Sequence, residues 1–147
     1  MNKTKFKKTV LRVVCVLAIA AIALCTFGCA KKSTKLSVDT SGVEAKKIGI
    51  GETVFDCEVI DKDENVTKFR VSTDKKTVGE ALVDVGLIEG EQGQYGLYVK
   101  KVNGIEADYD KDKTYWSFYV NGEMAMTGVD ATDIKDGDVY SFKVVKG

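Results

Sequence analysis

The chain has 147 residues, with 22 basic and 22 acidic side chains and no histidine. The missing imidazole excludes His-dependent serine and cysteine triads and ordinary His-liganded zinc sites. Beyond residue 28 the balance becomes 17 basic against 22 acidic residues, a net charge of −5; with no basic cluster there, a nucleic-acid partner is not expected.

Lys3, Lys5, Lys7, Lys8 and Arg12 precede an apolar run from Val13 to Cys25, followed by Thr26-Phe27-Gly28-Cys29. A basic head, an apolar core and a small residue ahead of a cut are the layout of a secretion signal. The Gly28-Cys29 step resembles the lipobox of bacterial lipoproteins, with Thr26 in place of the usual Leu. That resemblance implies a signal over residues 1–28, lipid on Cys29, and an extracytoplasmic chain anchored to the bacterial cell membrane. The alternative is an uncleaved transmembrane anchor, which wants about 20 apolar residues. Of the four cysteines, Cys15 and Cys25 fall in the signal, so Cys57 remains without a disulfide partner. It is expected to be a buried, unreactive thiol.

Residues 29–49 are small, polar and charged, with no apolar period. They read as a flexible tether, which fully extended reaches up to about 60 Å. The folded domain is expected over residues 50–147. Its first strand alternates, with Thr53, Phe55, Cys57 and Val59 inward. The polar turn Asp61–Asn65 leads to a second strand, Val66–Ser72, and the two form a hairpin.

The period then becomes helical. Thr77 and Glu80 have capping-box spacing, Val78, Ala81, Leu82 and Val85 share a face, and Gly86 stands where a helix stops. A helix over Val78–Val85 follows. Glu89–Tyr95 reads as a polar loop, Gly96–Val102 as a strand, and Asn103-Gly104 as a tight turn with Ile105 and Ala107 returning from it. Asp108–Lys113 reads as a charged loop. Tyr115–Val120 is the most strand-like segment. Asn121-Gly122 closes it, Glu123–Met126 returns, and Asp136-Gly137-Asp138 turns into a last strand, Val139–Val145. The fold class is α+β: a small β-rich, grasp-like domain with one short helix packed on a curled, mostly antiparallel sheet.

Tyr115-Trp116-Ser117-Phe118-Tyr119-Val120-Asn121-Gly122, then Gly128-Val129 and Ile134-Lys135-Asp136-Gly137-Asp138, resemble a small bacterial extracytoplasmic domain of unassigned function. That domain is related to the C-terminal domain of the cobalamin carriers transcobalamin and intrinsic factor. Thr77–Leu82 and Gly104-Ile105 fit the same pattern, so the resemblance spans about residues 50–147. It implies binding rather than catalysis, with a cobalamin-like ligand as one candidate. The large helical domain that holds the other corrin face in those carriers has no counterpart here.

Along Tyr115–Val120, Trp116, Phe118 and Val120 share one face and are expected in the core. Tyr115 and Tyr119 share the other, and either form a recognition face or lie beneath the helix. Tyr98, Asn121, Met124 and Met126 complete the candidate face for a small flat ligand or a cell-surface protein partner; Tyr95 would extend it, and the methionines alternatively form a satellite core. Asp136-Gly137-Asp138 lacks the twelve-residue ligand pattern of an EF-hand loop, and Asp108–Lys113 reads as a solvated loop, so no metal site is expected. Glu52, Asp56, Glu58, Glu106 and Asp108 offer carboxylates, but no spacing singles out a catalytic pair. The leading expectation is a non-catalytic, surface-tethered binding lipoprotein. The alternative is a structural or protein-interaction module of a cell-surface assembly.

Overall fold

The computed structural model describes residues 35–147; the expected signal, Cys29 and the start of the expected tether lie outside the described residues. Strands β2 (Thr53–Ile60) and β3 (Val66–Thr73) pair antiparallel. Their turn is organised by Asp61, whose carboxylate accepts from the backbone N–H groups of Asp63 and Asn65 and from the Asn65 side chain. The Asn65 side-chain bond is the main reason the Asp61 carboxyl sits below the usual carboxylate range.

Helix α1 (Val78–Asp84) begins on the expected capping box, with Thr77 Oγ1 accepting from Glu80 N and Glu80 Oε2 accepting from Thr77 N, both at 3.3 Å. At the other end Gly86 has φ +68°. Leu87 N donates to Leu82 O and Gly86 N to Val83 O, the paired bonds of a Schellman stop. Val78, Ala81 and Leu82 are fully buried. The 3₁₀ turn Val129–Ala131 sits beside the helix: Val78 N donates to Thr132 O, and a Cβ on Gly79 would lie 2.3 Å from Asp130 Oδ1.

Glu89–Gly93 is a strand rather than the expected loop. It belongs to β4 (Ile88–Gly93), which pairs antiparallel with β5 (Gly96–Val102). Every residue after Ile88 in β4 is exposed, so no alternation betrays the strand. Its ladder and the cross-strand pairs Glu91–Lys100 (2.8 Å) and Glu89–Lys101 (3.1 Å) accompany the strand conformation. The short β6 (Ile105–Glu106) completes this three-stranded sheet after the Asn103-Gly104 turn. Asp108–Lys113 is likewise not all loop. Asp108 caps a single helical turn, α2 (Tyr109–Asp112).

Strands β7 (Thr114–Val120), β8 (Glu123–Met124) and β9 (Val139–Lys146) finish the larger sheet. A further strand, β1 (Ala45–Gly49), adds to its far edge, parallel to β3. The order is β1-β3-β2-β9-β7-β8, with β2 parallel to β9 and the remaining pairs antiparallel apart from β1/β3. The domain is therefore β-rich α+β, with a mixed six-stranded sheet and a separate three-stranded one. Residues 45–49, expected in the tether, are part of the sheet. Lys46 and Lys47 are exposed on this edge strand, a charge pattern that hides it from an apolar period.

The inner face carries Phe55, Cys57 and Val59 from β2 and Trp116 from β7, buried as expected, together with Phe69 and Val71 from β3 and Tyr140, Phe142 and Val144 from β9, also buried. Burial pushes the Cys57 thiol well above its ordinary range, with the neighbouring Glu58 and Asp56 charges adding to the effect. A thiolate nucleophile is not available there.

The opposite face is also covered. Tyr119, Ser141, Glu58 and Lys68 form one cross-strand row, flanked by Met124 on β8 and Ala45 on β1. Tyr119 is 4% exposed, Ser141 1% and Glu58 7%. The covering element is the segment 35–44. It starts at β8, where Lys35 bridges Glu123 and Leu36 N donates to Gly122 O at 2.7 Å, and it ends in β1 at the other edge. Leu36, Val38 and Thr40 are half-buried and alternate with exposed Lys35, Ser37 and Asp39. The Asp39 carboxyl sits below the usual carboxylate range, chiefly because the Ser41 hydroxyl and then its N–H donate to it, with a smaller contribution from the Lys68 charge on β3. Five strand spacings span about 24 Å, and the nine steps from Leu36 to Ala45 reach about 30 Å when extended. The segment is a strap across the sheet. Tyr119 is thus buried, as a recognition residue would not be, and it is buried by this strap rather than by α1.

Candidate functional site

The sheet end beyond β7 carries an open groove of about 360 Å³ along residues 120–127, lined among others by Asn121, Glu123, Met124 and Met126. Asn121 and Gly122 adopt φ +50° and +79° and turn the chain sharply between β7 and β8. The Asn121 side chain is fully engaged. Its Oδ1 accepts from Val139 N at 2.9 Å and its Nδ2 donates to Asp138 Oδ1 at 3.0 Å. It holds the β7–β8 turn against the start of β9, so its part in the groove is to shape it.

Met124 is 43% exposed and Met126 97%. The second reading of the methionines, as a satellite core, fails for Met126 at that exposure. Thioether side chains on an exposed loop offer soft, adaptable apolar contact. Tyr95 joins them from the three-stranded sheet. It sits at the tip of the β4–β5 hairpin, 90% exposed, with its carbonyl 3.8 Å from the position of a Cβ on Gly128, two residues beyond Met126. The hairpin tip and the methionine loop are therefore neighbours. Sequence spacing alone could not join them, because the Gly93–Gly96 turn and Gly128 are more than 30 residues apart.

Asp130 makes that junction. Its Oδ2 accepts from Leu97 N at 2.9 Å and from Gln92 Nε2 at 3.1 Å, while Oδ1 approaches Gly79 of α1. One carboxylate thus ties both strands of the hairpin to the 3₁₀ turn that follows the methionine loop. Asp130→Ala is expected to lower stability by about 1.5–3 kcal/mol, the range for losing hydrogen bonds to a charged acceptor. Amide hydrogen exchange at residues 92–97 should accelerate well beyond that of β2 and β9; equal acceleration throughout would contradict a local clamp.

The remaining candidates lie elsewhere. Tyr98, 48% exposed, faces outward on β5 opposite Glu91. Tyr115, 36% exposed, stands near Tyr109 of α2 at 6.5 Å between ring centres. Tyr119 lies under the strap, though it is the direct cross-strand partner of Met124. The proposed face is thus split: Met124, Met126 and Asn121 converge on the groove, while Tyr98 and Tyr115 are not among its lining residues.

Four of the candidate carboxylates, Asp56, Glu58, Glu106 and Asp108, meet cationic partners. Asp56 takes a two-pronged contact from Arg70 at 2.9 and 3.1 Å, and Glu58 is paired with Lys68 at 3.2 Å. Glu106 and Asp108 meet around Lys111, at 3.7 and 3.1 Å. A smaller depression of about 240 Å³ lies beside Asp56, Arg70 and Asp136, where Asp136 accepts from Val54 N. Among the described residues no group of three or more His, Cys, Asp or Glu side chains is placed to hold a metal ion. Among them, too, no helix is long and apolar enough to cross a membrane.

The family model for "Domain of unknown function (DUF4430)" matches residues 75–146. The crystal structure of "a putative metal binding protein from Ruminococcus gnavus ATCC 29149" is 33% identical, with a TM-score of 0.62, over 65% of this chain and 99% of that one. Haptocorrin in complex with Cbi is 19% identical with a TM-score of 0.52, a likeness of fold. It covers 64% of this chain, which spans only 25% of haptocorrin. No curated protein matches the chain.

Proposed function

Because the chain belongs to the DUF4430 family, we propose that it is a non-catalytic binding module, held outside the bacterial cell by lipid on Cys29, whose groove takes a flat, amphipathic ligand of the corrinoid class. The observation that carries this reading is that exposed Met124 and Met126 line one open groove, with the exposed Tyr95 on a hairpin tip next to Gly128, just past its end. Apolar rims with a few polar groups suit ligands that are broad, flat and polar only at their edges. The fold shared with haptocorrin, a structure holding Cbi, supports the ligand class. The order β3-β2-β9-β7, with parallel β2 and β9 at its centre, supports a grasp-like reading of the larger sheet.

Titration of residues 33–147 with cobalamin and cobinamide, followed by corrin absorbance, tests the proposal. Saturable binding is expected, weakened at least tenfold in Met124→Ser/Met126→Ser, which corresponds to about 1.4 kcal/mol. No saturation by about 1 mM would end the corrinoid reading, since binding weaker than that is worth less than about 4 kcal/mol. A protein-interaction module would then be the better account of the same exposed patch.

A further inference from the structure

We propose that the Met124–Met126 loop and the Tyr95 tip rest against the lipid surface, so that the groove opens at the membrane. The inference rests on the reading of Cys29 as the lipid-bearing residue, and it follows from where the chain enters the fold. Lys35 already bridges Glu123, and Leu36 is hydrogen-bonded to Gly122. The strap and β1 thereby take up most of the expected tether. Six steps separate Cys29 from Lys35, a reach of about 20 Å at most. The β8 edge is therefore the one nearest the anchor, and β1 with Ile50 lies across the sheet from it.

That nearest edge has the chemistry of an interfacial surface. Met126 is 97% exposed and Met124 43%, both within three residues of Glu123, where the chain enters. Tyr95 is 90% exposed beside the same loop. Lys31 and Lys32 precede the strap in the sequence and Lys35 opens it, while Glu123 on β8, Asp130 at the hairpin junction and Asp138 beside Asn121 carry the acidic charge of this end. Exposed apolar tips beside a chain entry whose sequence carries three lysines match a bilayer interface with anionic headgroups. A ligand entering the groove would then exchange at the lipid surface rather than in open solution.

Hydroxyl-radical footprinting tests the orientation. Residues 29–147, which contain the compact unit Ser33–Gly147, are coupled through Cys29 to a maleimide lipid in vesicles containing phosphatidylglycerol. Cys57 is fully buried and does not compete. The same chain capped with a small maleimide serves as reference. Oxidation of Met124, Met126 and Tyr95 is expected to slow at least threefold on vesicles, while Ile50, 94% exposed, and Val83, 50% exposed, keep their rates. Unchanged oxidation of Met126, or equal protection of Ile50, would overturn the proposal. The coupling is chemical, so this result does not depend on lipidation in the cell. Labelling with a palmitate analogue, lost in Cys29→Ala, tests the anchor itself.

Discussion

Tyr140→Ala should remove about 3–5 kcal/mol of the domain's stability. Tyr140 is fully buried at the centre of the larger sheet. Its ring meets Phe55 edge-on at 5.2 Å and stacks on Phe118 at 6.2 Å. Its hydroxyl accepts from Lys135 N at 3.0 Å and lies 3.3 Å from both Asp133 O and Asp138 Oδ2, either of which takes its proton. Truncating a buried aromatic costs about 3–5 kcal/mol, against a total of about 5–15 kcal/mol for a domain. Tyr140→Phe keeps the ring and loses only the hydroxyl contacts, so about 1–2 kcal/mol is expected. Denaturant unfolding of both variants checks the two shares. A loss below about 1 kcal/mol in the alanine variant would mean that the sheet repacks around the site.

The same hydroxyl gives an alkaline limit. Burial, the largest cause, pushes the Tyr140 phenol above its ordinary value of 10.0. The folded state therefore binds this proton more tightly than the unfolded one. Its stabilising contribution is complete below about pH 10 and disappears as pH rises through the elevated folded value. Tyr140→Phe should remove that part of the alkaline loss.

Local punctuation was legible in the sequence and long-range coverage was not. Thr77, Glu80 and Gly86 set the ends of α1 through contacts within a few residues, so their spacing carries the information. Asn103-Gly104 and Asn121-Gly122 do the same for the turns. β4 escaped because its side chains are exposed on both faces, leaving the ladder to β5 and two ion pairs as its identifiable partners. The alternation of Tyr115–Val120 identified a strand and its Trp116 face. It could not report that the Tyr119 face is covered too, because the cover is a polar strap with Leu36 and Val38 as its half-buried apolar residues. Met124 and Met126 could be singled out from their residue type, whereas Asp130, which ties the hairpin to the 3₁₀ turn, could not. Its role exists only once the hairpin folds back on the 3₁₀ turn.

Lys68→Met should expose how much the strap contributes. Glu58 has a side chain only 9% exposed, held by Lys68 Nζ at 3.2 Å and by Ser141 Oγ at 3.1 Å, the latter from a residue 83 positions away. Removing the cation leaves a carboxylate in a covered site with one neutral donor. Breaking a buried ion pair costs about 3–5 kcal/mol. Lys68 is itself 21% exposed, so solvent screening lowers the expectation to about 2–4 kcal/mol. The methionine retains most of the aliphatic length, which keeps lost packing small. Lys68→Met/Glu58→Leu removes both charges and should recover most of that loss, because the penalty lies in the unpaired carboxylate rather than in the missing pair. Chemical denaturation of the two single variants and the double variant completes the cycle. If Lys68→Met alone costs less than about 0.5 kcal/mol, water reaches Glu58 and residues 35–44 do not seal the sheet. A sealed face leaves Tyr119 and Ser141 unavailable to a ligand, which is why the proposed site is the groove at the β8 edge instead.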